Sequence, residues 1–586
     1  MQSAFAYQPL PPKSIRVIRL RPAHHPEDPL RCTINIVSLG RAATQSYEAL
    51  SYVWGEPTRQ WPLECDGKEL LVTRSCHDAL VHLRRRFTSR VLWIDAICIN
   101  QGDDDEAVTE RNGQVAMMGE IYLKAARVLV WLPPARESTP TLFRYLRTAR
   151  FFNIIENDYP RLGDILYYVV TRHFDIRHGS LIKNRGPQLQ ECFAAILDNP
   201  WFERVWTMQE VAFARECVIY QGHSKLGWES FCAAYMTIPQ LWNSSRPRRE
   251  LVLPRWRLYL ALRGNSLEAI PPARFEGDTQ KEFELQLLGE LRNLKATVPQ
   301  DRVYSLYAVF QAMGLYMPAP DYKKDIFTVF EEATIAYIRG RQNLDIIAAT
   351  PPPAEGSGFP SWVPDWLTPG SNSDMLIWKI AQFEAKRPTI TLSLTENTGN
   401  GKLGVMGRKI GRITKRIRCP LLGDSALARD QAYQEFISAC FDWRRLLDSL
   451  VAYPSGKDPK DLERTLLRPY HHAVANGALE LWWRWFLQGC GTPPPKDDPT
   501  LDVMMEKRKR AGKWLVFCLD SGYYGTTHHL CQVGDEVSLL GSLNPLVLRR
   551  QKEARQFRIV TPAYCEGAMN GDVQSRAEEL EEIILV

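Results

Sequence analysis

Tyr47 to Arg59 reads YEALSYVWGEPTR. Through Val53 it is a short apolar strand, and at Trp54-Gly55 it breaks into the polar turn Glu56-Pro57-Thr58-Arg59. A core strand needs neither an acid, nor a hydroxyl, nor a Trp-Gly step at its mouth, so those groups are read as facing something else. Val91–Ile97 (VLWIDAI) is a second buried strand, carrying Asp95 and ending in the polar loop Asn100 to Asp105. Val128–Leu132 (VLVWL) is a third, stopped by Pro133-Pro134. Between them, Ser75 to Phe87 places Ala79, Leu80, Leu83 and Phe87 at helical spacing, with Ser75 or Asp78 near its start. Glu106 to Ala126 is helical in pattern despite Gly113. Continuous apolar strands alternating with helices predict an α/β domain on a parallel, doubly wound sheet. In such sheets ligands bind outside the carboxyl ends of the strands, where Ser51, Trp54, Gly55 and Asp95 fall.

Outward from that centre, residues 1–46 read as an N-terminal extension with strand candidates Ile15 to Leu20 and Cys32 to Val37. Leu63 to Thr73, centred on Asp66-Gly67, has the signature of a two-residue hairpin. Residues 135–196 break the rhythm as a helical insertion. The pattern resumes with a helix over Trp201 to Phe213, a strand over Cys217–Gln221 and a turn at Gly222, closing a domain of 47–230. A helical region follows over 231–350, then a Pro-rich linker over 351–366 (opening PPPAEGSGFPSWVP). Residues 367–586 read as mixed α/β, with strands near 389–413, helices near 424–450 and 460–488, and a β-rich end at 513–566. The charged tail Glu578 to Glu582 reads as a solvated helix.

A chain of 586 residues is too long for one core and predicts two or three domains. A net charge of +6 over that length neither demands nor excludes a nucleic-acid or membrane partner. The 13 cysteines form no Cys-x-x-Cys pair, and several lie in apolar runs, which favours reduced, buried thiols in a cytosolic or nuclear protein, with the cytoplasm as the expected location. The start lacks the order of a secretory signal, and no apolar run approaches the roughly 20 residues of a membrane span. Neither a Walker loop nor Gly-x-Gly-x-x-Gly is present, and the pairs His24-His25, His471-His472 and His528-His529 lack companion ligands, so no metal or resident cofactor is expected. The basic run at 507–510 reads as a solvated turn, which makes nucleic acid an unexpected partner, and the Trp-rich stretch 479–489 as a buried helix.

With those blocks in view, the chain resembles the fungal heterokaryon-incompatibility (HET) domain. The resemblance rests on YEALSYVWG, LWIDAICINQ, Glu110-Arg111 with Gln114, VLVWL, and NPWFERVWTMQEVAFAR followed by Trp228. PQDRVYSLYAVF with PDY, at 299–310 and 320–322, is similar to a region commonly downstream of that domain, and GDEVSLLGSLNPLVLR to the tail of many such proteins. The resemblance implies an effector of nonself recognition whose activation drives cell death, working through self-association or an upstream recognition protein.

HET domains are remotely similar to TIR domains, which have a flavodoxin-like fold. Tyr47-Glu48-Ala49-Leu50-Ser51-Tyr52, then Gly55-Glu56-Pro57-Thr58-Arg59, resembles the TIR opening with one extra residue between the serine and the glycine. Trp93-Ile94-Asp95-Ala96 resembles its second strand, and Trp206-Thr207-Met208-Gln209-Glu210-Val211 the helix bearing its catalytic glutamate. That likeness implies NAD or a related nucleotide as substrate, Glu210 as the catalytic residue, and Ser51, Trp54, Gly55, Asp95, Arg111 and Trp206 as the nucleotide-binding wall. Each also has a plain structural reading. Glu210 can pair with Arg204 or Arg215, Trp54 can be crevice wall, Ser51 can bond a backbone group, Asp95 can hold a turn, and Arg111 can sit in a surface ion pair with Glu110. The alternative from another class is an interaction module that signals by binding a partner, without chemistry.

Overall fold

The computed structural model describes residues 5–40, 46–147, 188–237, 249–263, 291–348, 352–368, 392–418, 514–565 and 580–586, a few single positions in these excepted, with scattered residues of 284–289 and 433–445. The Trp-rich stretch 479–489, the basic run 507–510 and most of the helices expected over 424–488 lie outside them. The chain divides into two compact units, one of 1–280 with 290–329 and one of 281–289 with 330–586.

The first unit is built on a nine-stranded sheet in the order β5-β4-β2-β1-β6-β3-β7-β8-β9. Its strands are β1 Ser14–Leu20, β2 Arg31–Ser38, β3 Glu48–Tyr52, β4 Arg59–Cys65, β5 Lys68–Thr73, β6 Arg90–Trp93, β7 Arg127–Trp131, β8 Cys217–Gln221 and β9 Ser224–Gly227. The four central strands β6, β3, β7 and β8 run parallel, with Glu48 opposite Leu92 and Arg127, and Val128 opposite Cys217. They are the apolar runs of the sequence. Ala49, Leu92, Val128, Leu129 and Val130 are fully buried because both faces of this stretch are covered. The expected parallel order holds for these four strands, and the sheet as a whole is mixed. β1 pairs antiparallel with both β2 and β6, β4 with β5 through the Asp66-Gly67 turn, and β8 with β9. The apolar patterning of the lead-in strands carries no information on direction. The amino ends of the central strands are tied by Glu48, which takes Arg90 at 2.5 Å and Arg127 at 3.5 Å. Their carboxyl ends are thereby left for Ser51 and Asp95.

Three helices differ from expectation. α1 spans Arg74–Leu83, capped by the Thr73 hydroxyl, and stops short of Phe87 because extended Arg84 reaches the carbonyls of His25, Pro26, Asp28 and Pro29. Phe87 is 73% exposed. The expected 106–126 helix is two, α3 Asp105–Ala116 and α4 Met118–Lys124, separated at Met117; a short α2, Asp95–Cys98, precedes them. Gly119, not Gly113, is the glycine that packing demands, since a Cβ there would meet the Ala308 Cβ at 2.5 Å. Trp201 to Phe213 divides into a 3-10 turn, Pro200–Glu203, and α5, Thr207–Ala212. Of the expected insertion, 139–147 and 188–197 are helical and 148–187 lies outside the described residues. α6 Trp228–Thr237, α7 Arg249–Arg263 and α8 Asp301–Ala312 complete this unit's named helices.

The second unit contains a seven-stranded sheet that closes on itself. Its strands are β10 Leu403–Arg418, β11 Trp514–Leu519, β12 Tyr524–His528, β13 Glu536–Leu539, β14 Leu546–Arg550, β15 Gln556–Cys565 and β16 Glu581–Leu585. The 16-residue β10 pairs in turn with β16, β13 and β11, which joins the two margins. Ile413, Phe517, Val537 and Val547 fill the interior. Of the tail expected as a solvated helix, 578–579 lie outside the described residues and Glu581 and Glu582 open strand β16; Ile583 and Leu585 alternate inward, a period of two that outweighs the charge of the two glutamates. In the 351–366 stretch, Trp362 and Trp366 are buried and Ser361 Oγ accepts the Ile559 amide at 2.9 Å, so it packs within this unit.

Candidate functional site

Ser51 is the fourth residue of β3, 1% exposed, and its hydroxyl donates to Glu210 Oε2 while accepting the Trp201 indole N–H at 2.7 Å. Glu210 enters from α5 and is 2% exposed. The helix can turn its acid inward because the preceding 3-10 turn is stapled from below. Fully buried Arg255 of α7 donates to the carbonyls of Phe202 (2.8 Å) and Arg204 (3.0 Å) and to Thr207 Oγ1 (2.7 Å). It also lies over the Trp201 ring, 5.6 Å from its centre. Burial pushes the Glu210 carboxyl up from 4.5 to about 7, against the pull of Arg204, the Ser51 hydrogen bond and Arg255, while Asp95 adds to the rise. It therefore stands between its protonated and ionised forms near neutral pH.

The neighbouring strand supplies the second carboxyl. β6 ends at Trp93, and Asp95 opens α2, where Oδ2 accepts the Trp54 indole N–H at 2.8 Å and Oδ1 takes its neighbour Ala96's amide. Asp95 is half-buried, and that burial raises its carboxyl while Arg204 and the Trp54 bond lower it. Trp54 reaches Asp95 because the chain turns sharply after β3. Gly55 sits at φ +69, and Ser75 at the start of α1 pins the loop by donating to the Val53 carbonyl. Half-buried Arg204 connects the two carboxyls: its guanidinium donates to the Tyr52 carbonyl at the end of β3, and its charge bears on both Glu210 and Asp95.

A further carboxyl comes from α8. Asp301 is 9% exposed, accepts the Tyr322 hydroxyl at 2.6 Å and is hydrogen-bonded by Trp206. Arg111 of α3 lies over the Tyr322 ring, 5.7 Å from its centre. Glu110 turns away from it to buried Arg16, which grips it at 2.6 and 2.8 Å.

Ser51 and Glu210 thus meet directly, as do Trp54 and Asp95, and Arg204 joins the pairs. Trp206 and Arg111 gather instead on Asp301 and Tyr322, a group tied to the pairs by the charge of Arg204, which bears on Asp301 as well. Sequence reasoning had Arg204 only as a surface partner of Glu210, and missed Trp201, Arg255, Asp301 and Tyr322 altogether. The available signals were a lone arginine between apolar residues of LVLPRWRLYLAL, and the acid of PQDRVY. Chemically, the cluster offers a carboxyl poised near neutrality in dry surroundings, with half-buried tryptophans and arginines at its edge.

Residues 47–210 match the family described as Heterokaryon incompatibility protein (HET), and residues 503–586 match the Het-6 beta-barrel domain. Over 690 aligned positions the chain is 25% identical to Heterokaryon incompatibility protein 6, OR allele, of Neurospora crassa, covering 98% of this chain and 96% of that protein. No solved structure matches. All the directly paired site residues, Ser51 with Glu210 and Trp54 with Asp95, lie within the first match, and strands β11 to β16 within the second. The chain thus carries a HET domain over residues 47–210 and a Het-6 barrel domain over 503–586, and is similar along nearly its whole length to a heterokaryon-incompatibility protein.

Proposed function

We propose that the protein is an effector of fungal nonself recognition and regulated cell death, and that its HET domain, a TIR-related variant of the flavodoxin-like fold, cleaves NAD or a related nucleotide at the nicotinamide–ribose bond. The observation that carries this reading is the Glu210 carboxyl, buried beside Ser51 at the carboxyl end of a parallel sheet and raised to about 7. In hydrolysis the C1′–N bond breaks, its electron pair leaves with nicotinamide, and the ribose passes through an oxocarbenium-like state. The ionised Glu210 stabilises that positive charge and accepts the proton of the attacking water, giving ADP-ribose, nicotinamide and one proton. Ser51 orients the carboxyl, and Trp54 and Trp206 offer aromatic edges for a base.

The protein acts in the cytoplasm on this reading, by self-association or under an upstream recognition protein. Ten described cysteines, all free and buried, agree with a reducing compartment, and no described helix is long and apolar enough to cross a membrane. The test is NAD loss in purified protein and in expressing cells, for wild type and Glu210→Ala. Equal NAD levels under conditions where the wild type kills would remove the enzymatic reading. The near-complete burial of Glu210 favours a second reading, an interaction module without chemistry, which expects Glu210→Gln to leave killing intact.

A further inference from the structure

Arg111 is a half-buried cation with an unusual setting. Among the described residues, none of its guanidinium N–H groups is paired with an acceptor, although a half-buried arginine ordinarily finds a carboxylate or carbonyl. The expected partner, Glu110, is bound by Arg16 and by the Asn100 amide. What Arg111 has instead is a platform. Its guanidinium lies on the ring of Tyr322, which is fixed at one end by its hydroxyl on Asp301 and at the other by its amide on the Asn112 side chain at 3.1 Å. Asn112 Nδ2 also reaches Asp321 at 3.3 Å, so the 321–322 segment is fastened to the turn of α3 that carries Arg111. Asp301 in turn takes Trp206, four residues before Glu210 on the same face of the chain.

The chain Asp301–Tyr322–Arg111 is thus a rigid arm that presents an unused planar fork of donors. It rests on residues 301 and 322, outside the segment matched to the HET family. Such a fork fits a phosphate or carboxylate in two parallel hydrogen bonds, and stacking on an aromatic ring fixes its plane in advance. We propose that Arg111, held by Tyr322 and Asp301, is the receptor for the pyrophosphate of a nucleotide whose ribose lies at Glu210. This rests on the nucleotide reading above and names the part of the substrate that this segment grips. Tyr322 and Asp301 are positioning residues in it; Arg111 is the contact.

The experiment separates the two claims by using binding and turnover. ADP-ribose binding to the full chain is measured by calorimetry for wild type, Arg111→Ala, Tyr322→Phe and Tyr322→Leu, with unfolding curves as the folding control. Loss of a bidentate charge-assisted contact weakens binding about 10- to 100-fold in Arg111→Ala. Tyr322→Leu, which removes the platform, falls in the same direction, and Tyr322→Phe, which keeps the ring but loses the Asp301 bond, falls less. In turnover, Arg111→Ala raises KM for NAD by a similar factor and leaves that for nicotinamide riboside, which has no phosphate, unchanged. Arg111-dependent ADP-ribose binding without NAD cleavage upholds the receptor and removes the glycohydrolase. NAD cleavage with KM unchanged in Arg111→Ala, or raised equally for both substrates, removes the receptor and keeps the glycohydrolase. A folded wild type that fails to bind ADP-ribose overturns the proposal.

Discussion

Replacing Glu210 by glutamine should stabilise the first unit, and more so as pH rises. In the folded state the carboxyl is raised from 4.5 to about 7, chiefly by burial. The folded protein therefore holds a proton there that the unfolded chain has released between those two values. Stability falls as pH climbs through that window and stays reduced above it. At about 1.4 kcal/mol per pH unit, the interval from 4.5 to 7 is worth about 3 kcal/mol. Glutamine keeps the shape and can still accept the Ser51 hydroxyl, but has no charge to lose or gain. Glu210→Gln should match wild type near pH 4.5 and exceed it by about 3 kcal/mol at pH 8. Because two units need not unfold together, hydrogen exchange of the β3 and β7 amides is the suitable assay. A gap of the same size at pH 5 and pH 8, or a glutamine variant less stable at pH 8, would refute the claim that this carboxyl is held against its own ionisation. A group costing that much stability in its charged form is one whose retention asks for a functional reason.

Other expectations follow from single contacts. Ser51→Ala leaves the buried Trp201 N–H without its acceptor and should cost about 1–3 kcal/mol in the melting of the first unit. If NAD is cleaved, the wild-type rate should fall about tenfold for each pH unit below about 7, as Glu210 takes up its proton, read from initial rates across pH. Arg16→Met strips the partner from Glu110 in a site where the arginine is 2% exposed, and should cost about 3–5 kcal/mol by denaturant titration. Gly525→Ala would put a Cβ 2.2 Å from the Phe517 ring and 2.5 Å from the Tyr564 carbonyl, so the barrel should lose about 1–3 kcal/mol with no change in the first unit's exchange rates.

The parts of the fold that could be read from sequence were those fixed by short-range chemistry. Leu50 and Val130 announce buried strands by composition, and Asp66-Gly67 announces its turn because Asp66 and Gly67 both take positive φ. Neither signal says which way a neighbouring strand runs, so β1 and β2 were visible while their antiparallel placement was not. The candidate site divides in the same manner. Ser51, Trp54 and Asp95 stand out because such groups at the ends of apolar strands are conspicuous, whereas Glu210 was marked only by the resemblance of its helix to the TIR block. Arg255 and Asp301 do not, since a charged residue on a helix is ordinarily solvated and only tertiary packing turned these inward. The helix expected across Met117 failed for a similar reason: contact with Ala308, nearly two hundred residues away, decides where α4 lies.

The hairpin of β1 and β2 sits inside the sheet, between β4 and β6. Similarity to the HET family begins only at Tyr47, after both strands. A fragment cut at that point would discard the antiparallel neighbour of β6, and with it Arg16, leaving an open row of amides and carbonyls beside the strand that leads to Asp95. Bare margins of that kind recruit strands from other molecules. Precipitation of such a fragment would therefore report a mutilated sheet, and would say nothing of how the intact protein associates.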